Sequence, residues 1–236
     1  MRIGRRAGAC LLAAALCFGL LSGCGQSAAS GGDGEGLALS VCVGGAPSTL
    51  DPIYATASGD VTVLNHLYEN LMKIAADNSG GTSAVNGLAK SYHTDENKDG
   101  TVTYSFRLRN AKWSDGTAVT AQDFVDALKY VLTPDYAASN VGHVTGYIAG
   151  ADDYYNYHVY LNNANTGVVD EDGTTYTVDA DGVVTVAAPD ADPATYAPVD
   201  FEAVGVTAVD EHTLTYTLTY DFPGFLSLLC YLPYEP

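Results

Sequence analysis

The chain has 236 residues, 47% of them hydrophobic and 16% charged. That supplies a core for one large domain or two small ones, with a charged fraction below the usual quarter. The formal charge is −18, with no Lys or Arg after Lys129; such a field repels phosphate backbones and excludes nucleic acid as a natural partner.

Arg2, Arg5 and Arg6 precede an apolar run over 7–21, which falls short of the roughly 20 residues that a membrane span needs. Residues 1–23 therefore read as an export signal. The string Leu21-Ser22-Gly23-Cys24 resembles a bacterial lipobox. That resemblance implies that Cys24 receives a diacylglyceryl group and anchors the chain outside the cell membrane, in the periplasm where an outer membrane exists; two acyl chains make a stable anchor where one is marginal. Removing 1–23 leaves 7 basic and 28 acidic residues, a charge of −21. Residues 24–36, rich in Gly, Ser and Ala, read as a flexible tether. Of the five cysteines, Cys10 and Cys17 leave with the signal. Cys42 and Cys230 stay in apolar, strand-like surroundings, where a disulfide and a pair of buried free thiols are both open.

The folded part begins with weak alternation over 37–43, a first strand broken by Gly44, Gly45 and Pro47. Residues 62–73 show helical spacing, with Val63, Leu67, Asn70 and Leu71 on one side. A turn follows at 78–81. The clearest strand is 101–108, where Val102, Tyr104, Phe106 and Leu108 share a face, entered through the Asp99-Gly100 turn. Residues 110–117 are irregular and hold Trp113, read as fixing the next turn rather than stacking on a ligand. Thr120 then caps a helix, with Asp123 reaching back. Phe124, Leu128 and Val131 form its apolar face and Pro134 ends it. The composition changes over 151–203, with a hairpin at Asp181-Gly182 and a loop over 189–198. Residues 204–209 and 213–220 read as paired strands, with Leu214, Tyr216, Leu218 and Tyr220 on one face.

Several chemistries are set aside. Asp95, Asn97, Asp99 and Gly100 match the first half of a calcium loop, but its twelfth position, which needs a bidentate carboxylate, is Phe106. The acidic strings 170–173 and 179–182 read as exposed turns. No metal site, cofactor or catalytic nucleophile–base motif emerges, so no enzyme is expected.

The string from Phe106 through Trp113, Asp115 and Gly116 to Thr120, Asp123 and Phe124 resembles the signature of the peptide-type extracellular solute-binding proteins of ABC importers, the oligopeptide, dipeptide and nickel binders. Ser48 to Pro52, Leu67 to Leu71 and Gly205 to Leu214 match the same family, and relative to its shorter oligopeptide binders residues 154–203 look like a strand-rich insertion. The resemblance implies an α/β fold: a mixed-sheet lobe of a bilobal periplasmic-binding-protein-like architecture, incomplete at the C-terminus because such proteins usually run much longer, and so a truncated form. It implies capture of oligopeptides for uptake, with permease subunits as partners and no cofactor. Dipeptides, nickel or haem are alternative solutes, and a cell-surface interaction protein using the insertion is an alternative function. The segment after Asp51-Pro52 resembles the stretch lining the family's cleft, which points to Thr56, Ala57 and Ser58. Residues 136–144 resemble another, which adds Tyr136. The family's anchor for a peptide N-terminus has no counterpart here.

Overall fold

These local signals become elements in a computed structural model that describes residues 40, 42–77, 80–231, 234 and 236. The export signal, Cys24, the tether and most of the first expected strand lie outside the described residues. The remainder forms one unit, Cys42–Pro236.

Helix α1 (Ser58–Leu67) starts four residues earlier than its periodicity predicts and stops before Asn70. It buries Leu64, whereas Leu67 is 61% exposed. The reason for the early stop is long-range. The carbonyl of Leu71 accepts from the N–H groups of Gly87 and Ala89, and that of Asn70 accepts from Leu88. Strand-type pairing thus holds residues 70 and 71 against 87–89, and the chain is already extended at Tyr68 (φ −112°, ψ 157°). β1 (Met72–Ala76) and β2 (Thr82–Asn86) form an antiparallel hairpin that the sequence does not announce.

β3 (Ala89–Glu96) and β4 (Val102–Leu108) follow as a second hairpin. The alternation read in β4 is real: Val102, Tyr104, Phe106 and Leu108 are all buried. Helix α2 (Ala121–Val131) buries Phe124, Leu128 and Val131 as expected. Its start is fixed by Asp123, whose carboxylate accepts from the Thr120 backbone N–H at 2.7 Å and from the Thr120 hydroxyl at 3.1 Å.

A short helix, α3 (Gly142–Thr145), leads into α4 (Ala151–Thr166). The sequence reading finds no helix in α4, because its buried stripe is Ala151, Tyr154 and Tyr157 among Asn and Asp residues, a tyrosine face rather than an aliphatic one. β5 (Thr175–Val178), β6 (Val184–Ala187) and β7 (Ala194–Tyr196) form a small antiparallel sheet. β7 lies in the stretch expected to be a loop. Tyr160 ties α4 to this sheet, its ring lying 5.8 Å from Tyr176 and 4.8 Å from Tyr196.

β8 (Val206–Asp210) and β9 (Thr213–Leu218) complete the main sheet, in the order β3-β4-β9-β8. The fold is mixed α/β, with every described pairing antiparallel. Leu214, Tyr216 and Leu218 are buried beside the β4 face, while Tyr220 is 49% exposed because β9 has ended. A last short helix, α5 (Phe225–Leu228), sets Phe225 against Tyr104 and Tyr216 at 5.0 and 5.8 Å. Among the described residues, no helix is long and apolar enough to cross a membrane.

The Tyr216 hydroxyl is fully buried at the centre of this aromatic cluster and has no hydrogen-bond partner among the described residues. A buried polar group without a partner costs about 1–3 kcal/mol. Tyr216→Phe is therefore expected to stabilise the fold by about 1 kcal/mol, read as a higher denaturation midpoint with an unchanged slope. A lower midpoint would mean that the hydroxyl has a partner.

Candidate functional site

The residues after Pro52 form a turn built by Asp51. Its carboxylate accepts from the Ile53 N–H at 3.2 Å and its carbonyl from the Tyr54 N–H at 3.2 Å. Ile53 and Ala55 point inward and are buried, and Tyr54 points outward. Ala57 is extended (φ −81°, ψ 146°) at the start of α1. Thr56, Ala57 and Ser58 are all exposed. The Thr56 main-chain N–H and C=O carry no hydrogen bond among the described residues.

The segment is clasped at both ends. Asp60, almost fully buried in the first turn of α1, accepts from the Ser48 N–H at 2.6 Å and the Ser48 hydroxyl at 2.8 Å. These bonds, the hydroxyl's first, hold its carboxyl below the usual carboxylate range. A depressed folded pKa means that the clasp contributes fully above the unfolded value of about 3.9 and is lost as pH falls through the folded one. Protection of residues 48–58 from hydrogen exchange, taken relative to the intrinsic rate at each pH, is expected to fall as pH drops below about 4, a rise in relative exchange. Ser48→Ala should move that rise to higher pH; an unchanged profile would show that Asp60 is not the clasp.

Residues 136–140 meet this turn from the other side. The Ser139 N–H donates to the Ile53 carbonyl at 2.9 Å, and the Asn140 amide donates to the Ala55 carbonyl at 3.3 Å. Tyr136 closes a 3-10 turn, Pro134–Tyr136, and lies 42% exposed. Its ring sits 4.6 Å from that of Tyr130, whose hydroxyl donates to Asp51 at 3.1 Å. Partial desolvation and the Asp51 carboxylate hold the Tyr130 hydroxyl above its usual pKa. Ala137, next in the chain, is the one non-glycine with positive φ (47°) among the described residues; such strain persists only where surrounding structure fixes it. The segments that carry 56–58 and Tyr136 thus adjoin through Asp51, Ile53 and Ala55, and Thr56, Ala57, Ser58 and Tyr136 lie on an exposed wall. Sequence reading singled out neither Tyr54 nor Tyr130, which help to build it, whereas Asn140 falls within the stretch 136–144. Tyr130 lies on the polar side of α2, where nothing local marks it.

Beside the wall, and sharing Asp51 and Tyr130 with it, opens a groove of about 650 Å³. Trp113 lines it. The indole is half-buried against the main core, and its backbone closes the Asp115-Gly116 turn through the Gly116 and Trp113 N–H groups. The sequence reading took Trp113 as fixing this turn rather than stacking on a ligand.

The discarded metal chemistry can be followed in detail. Asn97 spends its amide on the hydroxyls of Thr101 and Thr103, and Asp99 accepts from Thr101. Among the described residues, no cluster of His, Cys, Asp and Glu could hold an ion. Cys42 and Cys230 are both free thiols, Cys42 exposed rather than buried. Burial pushes the Cys230 thiol up to about 11.

Residues 83–236 match the model of the bacterial extracellular solute-binding proteins, family 5 Middle. The periplasmic murein peptide-binding protein MppA of Escherichia coli is 30% identical over 191 residues, covering 80% of this chain and 27% of its own length. The oligopeptide-binding protein OppA of Bacillus subtilis is 35% identical over 141 residues, covering 56% of this chain and 24% of its own. A solved periplasmic oligopeptide-binding protein of Borrelia burgdorferi superposes with a TM-score of 0.58 at 23% identity, over 82% of this chain and 30% of that one. This chain thus spans about a quarter of the length of the curated relatives it matches. The family is one of binding proteins rather than enzymes, which agrees with the lack of any nucleophile–base pattern in the sequence. By the match over its greater part, the chain belongs to the bacterial extracellular solute-binding proteins of family 5.

Proposed function

We propose that this protein captures oligopeptides outside the cell for an ABC importer, held to the membrane through a lipid on Cys24. The relatives from Escherichia coli and Bacillus subtilis are named for peptide binding. The observation that carries the reading is the wall itself. Thr56 and Ala57 present solvent-facing backbone ahead of α1, extended at Ala57, and the Thr56 donor and acceptor carry no hydrogen bond among the described residues; the exposed rings of Tyr54 and Tyr136 belong to the same wall. Main-chain groups of that kind can bind a peptide as an added strand, with affinity independent of its side chains. Aromatic rings beside them supply contact area at low entropic cost. Thr56, Ala57, Ser58 and Tyr136 are the proposed contacts, and permease subunits the proposed onward partners.

Calorimetric titration with short peptides tests this. Thr56→Pro removes the N–H without removing the side-chain contact area and is expected to weaken binding about tenfold or more, which corresponds to about 1.4 kcal/mol. Thr56→Ala should bind like the parent. Equal affinity in the proline variant, with its fold intact by circular dichroism, would sink the reading. So would the failure of any peptide to bind.

A further inference from the structure

The groove beside the wall is apolar on its floor and acidic on its rim. Leu50, Ile53, Trp113 and Val131 are among its apolar lining. Asp51, Asp123 and Asp126 also line it, and no Lys, Arg or His does among the described residues. The volume, about 650 Å³, falls in the ~300–1,000 Å³ range of ligand pockets.

None of the three carboxylates has a cationic partner among the described residues. The ion pairs there join Lys73 to Glu69, His93 to Asp95 and Arg107 to Asp210. Asp126 accepts one hydrogen bond, from Gln122, and Asp123 accepts from the Thr120 N–H and hydroxyl. Asp51 accepts from Ile53 and Tyr130. A carboxylate offers about four acceptor positions, so each retains capacity. Of the bases nearest in sequence, Lys129 lies over the Phe201 ring at 5.5 Å, and Lys112 lines a neighbouring recess that shares Tyr68, Trp113 and Pro236 with the groove. The groove therefore sets three carboxylates around an apolar floor, with no cation among the described residues that line it.

We propose that this groove takes the side chains of a basic, apolar peptide segment, with Lys or Arg at the rim and large apolar side chains on the floor. The inference rests on the peptide reading above and deepens it, since a peptide lying on the wall extends across Asp51 and Tyr130 into the groove. Charge complementarity selects the occupant: the aliphatic stem of Lys or Arg covers apolar surface while its head stays at the carboxylates. The site thus favours cationic peptides over acidic ones, whereas the wall recognises backbone without regard to charge.

Trp113 is the only tryptophan in the chain and reports on the groove directly. The probes are an alternating lysine–leucine pentapeptide, its glutamate–leucine counterpart and a serine–leucine control. The lysine peptide is expected to shift Trp113 emission and to bind about tenfold tighter than the glutamate peptide, a preference that shrinks with added salt. Asp126 makes one exposed contact, so Asp126→Lys should fold normally. It should erase most of that preference, read as the ratio of lysine-peptide to glutamate-peptide affinity. Equal binding of all three peptides, with Thr56→Pro still weakening each, would overturn the groove inference and leave the peptide reading standing. No binding by any peptide overturns both. Trp113 emission already shielded from acrylamide in the unliganded protein would mean that its own chain fills the groove. Emission that changes with protein concentration would mean that a second copy does. Either result overturns the proposal.

Discussion

Phe106→Ala is expected to cost about 3–5 kcal/mol, a large part of the ~5–15 kcal/mol that holds an ordinary domain together. The side chain is completely buried at the middle of β4, opposite Leu214 of β9. Its ring touches three others, lying 5.7 Å from Tyr92, 6.3 Å from Tyr104 and 6.2 Å from Tyr216. Removing it forfeits both the transfer of its apolar surface and the contacts of its neighbours, and large rings cannot close the hole without leaving their rotamers. Urea unfolding should show a much lower midpoint with an unchanged slope. Phe106→Leu refills most of the space and should cost less. A loss below about 1 kcal/mol in the alanine variant would show that the site collapses freely.

Gly150→Ala is the second large effect, and it acts on the backbone. Gly150 has φ +71° at the start of α4, and an added Cβ would lie 2.3 Å from the Ala203 carbonyl oxygen. The left-handed conformation costs a non-glycine residue about 1–2 kcal/mol, and forcing two backbones apart adds about 1–3 kcal/mol. That approach is fixed by pairing on either side: the Gly205 N–H donates to the Ala149 carbonyl at 2.7 Å, and the Ala149 N–H to the Thr217 carbonyl at 2.9 Å. The damage should therefore be local first. Hydrogen exchange is expected to rise in 151–166 and 203–205 while β3 and β4 stay protected. Gly167, at the other end of α4, has φ +69° but open space around its Cα. Gly167→Ala should thus pay the conformational cost alone. Equal losses at the two positions would show that the contact with Ala203 is not what matters.

The two variants differ in how visible their sites are from sequence. Phe106 announces itself, because alternation along 101–108 puts every second residue on one face. Gly150 carries no local mark; its constraint comes from a carbonyl 53 residues away. The candidate site divides in the same way. Thr56, Ala57, Ser58 and Tyr136 came from resemblance to a family, and the structure sets their segments side by side through Ser139, Asn140 and Tyr130. The groove next to them combines residues from 50–53, from α2 and from the Trp113 turn, which no periodicity connects.

α1 and α4 mark where sequence reasoning stops. The spacing over 62–73 is helical, yet Leu71 and Met72 are buried beyond the helix end, one accepting strand-type hydrogen bonds and the other starting β1. The stripe of α4 is tyrosine among Asn and Asp, so an apolar-periodicity test passes over it although the helix runs for sixteen residues.

By itself the sequence determined the elements whose stabilising contacts lie within a few residues. These are the cap at Thr120 and Asp123, the turns at Asp99-Gly100 and Asp181-Gly182, and the alternating faces of β4 and β9. Only the tertiary structure decided where α1 ends, why residue 150 must be glycine and which segments share the wall and the groove. Each of these depends on hydrogen bonds or packing between residues far apart in the chain, and such contacts leave no period, cap or turn signature in either partner's local sequence.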